Sequence, residues 1–319
     1  MLSDMNQAES PTPQRGLPAE GGGAENSRLL LMFGSLTQAE LNRFLETTSV
    51  DSDERKAEIR AAWRTAANVL QSLGVAEAGL ADTATPRPLA EESGHLSRFR
   101  DSRAFKDTFQ DYPVTFEEIE IDKTVACQRY LNLDYASAVA AKFQGSGRTA
   151  VDLCLDADPD RTPSQFSRTA QNSYTFSSPN PGLRLIRCTD YPLARTGGLE
   201  LPWGQPVHAI VLWLGYGTSV VNVFRVGTRL ILNNGFHRLY ALRSLGFHYA
   251  PAVVQHVTHP EIELPSMVGE LPRDHLVRAP RPGLMGDFLR PELCCEVNKR
   301  RLMKSVQIAW IVNEVLVPA

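Results

Sequence analysis

Residues 229–254 read RLILNNGFHRLYALRSLGFHYAPAVV, and the fold is decided there. An apolar strand ends at Leu232, Asn233-Asn234-Gly235 makes a turn, and a helix begins near Phe236. Leu239, Leu242 and Leu245 recur at helical spacing, and PAVV then reads as a second strand. Gly235 can adopt a backbone conformation closed to other residues, and Asn234 tolerates a left-handed one or can cap the helix. Free N–H groups and the positive dipole end at such a point favour an anion. First turns ordinarily recruit Asp and Glu, yet His237 and Arg238 stand here. A phosphate shared among these donors is one resolution, and the planar fork of Arg238 suits it. An internal carboxylate such as Glu118 or Glu120 reached by Arg238, with His237 as a packing residue, is the other. Spacing does not separate the two.

Outward from this run, short apolar segments with β-branched residues read as strands: LRLIRC, VHAIVLWLGY, SVVNVFRV and TRLIL before it, PAVVQHV within and beyond it. The apolar stretch 207–224 is interrupted by His208, Asn222 and Gly-Tyr-Gly-Thr, so it predicts two buried strands rather than a membrane helix. Further back, VTFEEIEID predicts a strand, and LDYASAVAAKFQG a helix ending at Gly145. Residues 156–181 read as turns. LTQAELNRFLETT and DERKAEIRAAWRTAANVLQSLG predict two helices, the second stopped by Gly74, followed by a loop over 76–97. The first 27 residues, rich in Pro, Gly and Ser, predict a disordered tail. The C-terminus ends in KSVQIAWIVNEVLV, another strand or two.

The run from a strand through NNGFHRLYALRSLG into PAVV resembles the ParB/sulfiredoxin-like superfamily. Those domains carry a Gly-x-x-Arg turn, often Gly-x-His-Arg, at a helix start. Gly235, His237 and Arg238 match it, and Gly246 with Pro251 fits the family's leucine-glycine and proline-valine continuation. The resemblance implies an α+β fold with a mixed-sheet domain over residues 112–258. A tail (1–27), a helical region with a linker (28–111) and a Pro-rich extension with a terminal strand (259–319) flank it. It further implies that Asn234, Gly235, His237 and Arg238 hold the phosphates of a nucleotide, ATP or CTP with magnesium. Gln128 and Arg129 stand where partition proteins carry a Gln-x-Arg element.

The departures narrow the function. Phe236 occupies the place of sulfiredoxin's nucleophilic cysteine, so a sulfinic acid reductase is not implied. HPEIELPSMVGELPRDHLVRAPRPG is unlike the helix-turn-helix region that follows in partition proteins. A third branch phosphorylates a small hydroxyl substrate with a carboxylate base. Glu118, Glu120 and Asp122 are the candidates, sharing a face opposite Ile119 and Ile121, although such an acidic edge is more often a solvated strand face. The expected function is nucleotide or phosphate binding, extending to phosphotransfer. A non-catalytic interaction or scaffold subunit, docking another protein through the tail or the extension, is the alternative.

Composition bounds the rest. With 33 Lys and Arg against 36 Asp and Glu, the net charge of −3 attracts neither nucleic acid nor anionic lipid as a whole. Basic runs at Arg273/Arg278/Arg281 and 299–304 leave a nucleic-acid partner conceivable but not favoured. Five irregularly spaced cysteines and the absence of a secretory leader predict a cytoplasmic protein without a disulfide framework. His248, His256 and His259 lack the spacing and companions of a metal site, so no structural metal is expected.

Overall fold

The computed structural model describes residues 26–89, 94–109, 112–155, 164–179, 182–192, 208–216 and 220–312. In chain order, β1 (Asn26–Leu31) precedes α1 (Gln38–Thr47), α2 (Asp53–Ala76), β2 (Arg87–Pro88), α3 (Gly94–Asp101) and α4 (Arg103–Phe109). There follow β3 (Val114–Glu120), β4 (Val125–Ala126), β5 (Tyr130–Asn132), α5 (Leu133–Ser146) and α6 (Ala150–Leu155). Next come β6 (Gln165–Ala170), β7 (Ser173–Ser178), β8 (Leu183–Pro192) and β9 (His208–Tyr216). The decisive run forms β10 (Asn222–Val226), β11 (Arg229–Asn234), α7 (Phe236–Ser244) and β12 (Tyr249–Val257). The C-terminal part contributes α8 (Pro260–Glu263), β13 (Met267–Val268), β14 (Leu271–Pro272), α9 (Arg273–Arg278), β15 (Cys295–Arg300) and β16 (Lys304–Ala309).

The central sheet runs β2-β3-β12-β10-β11-β4. β10 lies parallel to β12 and β11 parallel to β4, whereas β10–β11, β12–β3 and β2–β3 are antiparallel, so the sheet is mixed as expected. Leu230, Ile231, Leu232, Val253 and Val254 are each fully buried at its centre. α7 covers it with Phe236, Leu239 and Leu242. A second sheet, β15-β1-β5, ties the two ends of the chain together.

Both N-terminal helices form where their caps place them. Thr37 and Glu40 make a reciprocal capping box on α1, and the Ser52 hydroxyl accepts from the Arg55 N–H at the start of α2. Gly74 does not stop α2, which continues to Ala76: a helical glycine costs about 1 kcal/mol but leaves every backbone bond intact. α5 likewise passes Gly145 and ends at Gly147, whose φ of 64° is the left-handed cap.

Several expectations are corrected. Residues 165–178, read as turns, form a hairpin in the β16-β7-β6 sheet, where Phe166 packs on Tyr174 and Phe176. The 76–97 loop contains a 3-10 turn at Leu80–Thr83, the β2 bridge and the start of α3. Of the two strands expected to be buried in 207–224, β10 is buried, but β9 pairs, among the described residues, only with β8 and leaves Ile210 65% and Trp213 55% exposed. The extension after residue 258 contributes to the core. Leu276, Leu284, Met285, Phe288 and Leu293 pack into the same apolar cluster as Ile231 and Leu239. Of the expected tail, residues 1–25 lie outside the described residues, while Asn26 and Ser27 open β1. Among the described residues, no helix is long and apolar enough to cross a membrane.

Candidate anion site at a helix start

β11 delivers the turn. After buried Leu232 the chain surfaces at Asn233, and the Asn234 Nδ2 donates to the Val220 carbonyl at 3.1 Å. Gly235 then takes φ 112°, and a Cβ placed there would lie 2.7 Å from Val221 Cγ2. Conformation and space both demand glycine. α7 opens with its Leu239 N–H on the Gly235 carbonyl, no acid in its first turn, and Phe236 buried beneath. The Arg238 N–H also donates to the Gly235 carbonyl, at 3.0 Å, so the Phe236 and His237 N–H groups are the ones that find no acceptor within the helix.

A second helix start meets the first. Asn132 caps α5, its Oδ1 accepting from the Tyr135 N–H at 3.0 Å, while its own N–H donates to His237 Nε2 at 3.0 Å. The Tyr135 ring stands edge-on to the imidazole, 5.0 Å between centroids. The positive ends of a 14-residue and a 9-residue helix are thus joined by one hydrogen bond. An accepting Nε2 places the ring proton on Nδ1 and requires neutral imidazole. Burial, reinforced by the Arg238 charge, accordingly pushes His237 down to about 4. His237 is therefore a neutral ring, with Nδ1–H as its donor.

Arg238 reaches neither Glu118 nor Glu120. Its Nη1 donates to the carbonyls of Leu153 and Cys154, each at 3.3 Å, so part of its fork covers the negative end of α6. The Cys154 thiol beside it is pushed up to about 12 by burial, against the pull of Arg238, and the buried Cys127 thiol also rises to about 12. Neither thiol supplies the thiolate that Phe236 cannot.

The three candidate bases lie elsewhere. Ile119 and Ile121 are buried beside them, as the alternation predicts. Asp122, however, pairs with Arg243 at 2.7 Å, at the last turn of α7, and Glu120 pairs with Lys123 at 3.1 Å. Eight residues of helix separate Arg243 from Gly235, about 12 Å at 1.5 Å per residue. Glu118 sits in register between Arg87 and Pro251 on the neighbouring strands. The histidines are also dispersed: His256 contacts Thr115, His259 lies near Glu261 and His248 near Asp122. Among the described residues, no group of three potential ligands could hold a metal. Of the basic run, Arg281 is buried against Asp287, which removes it from any surface stripe.

Sequence reasoning found the α7 turn and missed what faces it. Asn132, directly before LDYASAVAAKFQ, carries a helix-cap signature, but nothing local shows that this helix starts against His237. The chain matches no protein-family model, and no curated protein or solved structure matches it.

Proposed function

We propose that this chain is a nucleotide- or phosphate-binding protein of ParB/sulfiredoxin-like type, with Gly235 at the centre of the phosphate site. The observation that carries this reading is the junction of two helix starts at Gly235 and Asn132. Two positive helix ends side by side repel, and an anion between them relieves both. The leading α7 N–H groups and the His237 Nδ1–H form the phosphate-facing set, with the Arg238 charge beside them. Asn234 fixes the turn through Val220. The mixed central sheet is of the kind the family reading implies.

The proposal is one of binding. Glu120 and Asp122 lie by the far end of α7 and do not enter it as bases. Titration calorimetry of the full chain with ATP, CTP, GTP and ADP, each with magnesium, tests it. A bound nucleotide at a hundredfold excess over its Kd should also add about 2.7 kcal/mol of apparent stability. No heat and no stabilisation with any of the four would reduce the turn to a structural feature.

A further inference from the structure

The segment joining β4 to β5 borders a partly open cavity of about 260 Å³, whose other walls come from Met32 after β1, Leu70 of α2, β14 and His275 of α9. Met32 and Leu70 supply apolar wall, while Gln128, Arg129, His275 and Arg281 supply polar groups. The volume holds far more than one ordered water and lies just below the usual range of ligand pockets.

The polar groups are uncommitted in a consistent way. The Arg281 side chain is 2% exposed; both of its terminal nitrogens bind carboxylates, yet its buried Nε–H has no acceptor. Buried N–H groups are rarely left unpaired, and each costs about 1–3 kcal/mol. The Gln128 amide and the His275 ring make no side-chain hydrogen bond among the described residues, and Arg129 commits only Nη1, to Glu40 at 2.9 Å. The wall thus holds a surplus of donors over acceptors. The charges that bear most on His275 are also cationic, Arg129 and Arg229, and with burial they hold its pKa below the ordinary value.

We propose that this cavity binds a small carboxylate on a short apolar body, its oxygens accepting from Arg129 and Gln128. A single negative charge fits better than a phosphate dianion, because Glu40, Glu77 and Asp287 already balance Arg129, Arg281 and Arg290, so the ligand is held by hydrogen bonds rather than by net charge. The site is separate from the α7 junction and does not rest on the nucleotide reading.

The test uses the full chain, benzoate as probe and neutral benzamide as its isostere, followed by calorimetry and thermal unfolding. Benzoate should bind saturably, with benzamide at least tenfold weaker. Arg129→Gln should weaken benzoate about tenfold or more, as expected for loss of a charge-assisted bond. Leu70→Phe, which narrows the cavity without touching a polar group, should weaken it too, and ligand-free melting curves will show that both variants fold. Absence of saturable benzoate binding, equal affinity for benzamide, or unchanged affinity in both folded variants would overturn the proposal.

Discussion

Gly235 stands at φ 112° with Val221 Cγ2 2.7 Å from where a Cβ would sit. A side chain there meets two separable penalties, backbone strain of about 1–3 kcal/mol and a clash. Gly235→Ala should therefore lower stability by at least the strain. Adding Val221→Ala should return part of what the clash removed but none of the strain. Urea unfolding of the single and double variants measures this, and purely additive losses would show that Val221 is not the obstacle. His237 gives the pH counterpart. Its folded pKa of about 4 lies below the value near 6.5 of an unfolded histidine, so the unfolded chain takes up the proton first. Its contribution is complete above about pH 6.5 and is lost as pH falls toward 4, on the order of 3 kcal/mol. His237→Gln, which can still accept from the Asn132 N–H, should flatten that part of the stability curve; parallel losses in variant and wild type would remove His237 as the cause.

At the scale of elements, what was legible in the sequence was whatever is specified locally. α7 shows itself through Gly235 and the spacing of Leu239 and Leu242, and α1 and α2 through Thr37 and Ser52. β6 and β7 do not: their Ser and Thr content imitates a loop, and the strand that completes their sheet, β16, pairs Ser173 with Ala309 across more than a hundred residues. The same limit hid the candidate site's other half, since the cap at Asn132 is visible but its contact with His237 is tertiary. Asn132→Ala should cost about 1 kcal/mol through the lost cap, while its backbone N–H continues to serve His237. Thermal unfolding checks the cost, and an unchanged melting temperature would mean that α5 does not depend on this cap.

Across the whole molecule, the connection that a linear division into regions concealed is ionic. Arg281 binds Asp287 through both terminal nitrogens, at 2.5 and 2.6 Å, and Glu77 at the end of α2 at 2.8 Å; Arg290 adds a bond to Glu77 at 2.7 Å. Asp287 is 1% exposed and also receives the Leu284 N–H. A helix of the N-terminal region is thereby clamped to the extension, more than two hundred residues away, which no local pattern reveals. Arg281→Met strands a buried carboxylate and should cost about 3–5 kcal/mol, with Arg281→Met/Asp287→Leu recovering much of it. If chemical denaturation shows the double variant no better than the single one, the cost has another source.

The measurement that bears most directly on the central claim is calorimetric titration of the wild-type chain and of Arg238→Lys with magnesium nucleotides. Lysine keeps the charge but loses the planar fork. A phosphate site at the junction of α5 and α7 predicts saturable binding of at least one nucleotide to the wild type, and a loss of about 1.5–3 kcal/mol, roughly ten- to hundredfold in affinity, in the folded variant. A wild type that binds none of them, or a folded variant that binds as tightly as the wild type, would contradict it.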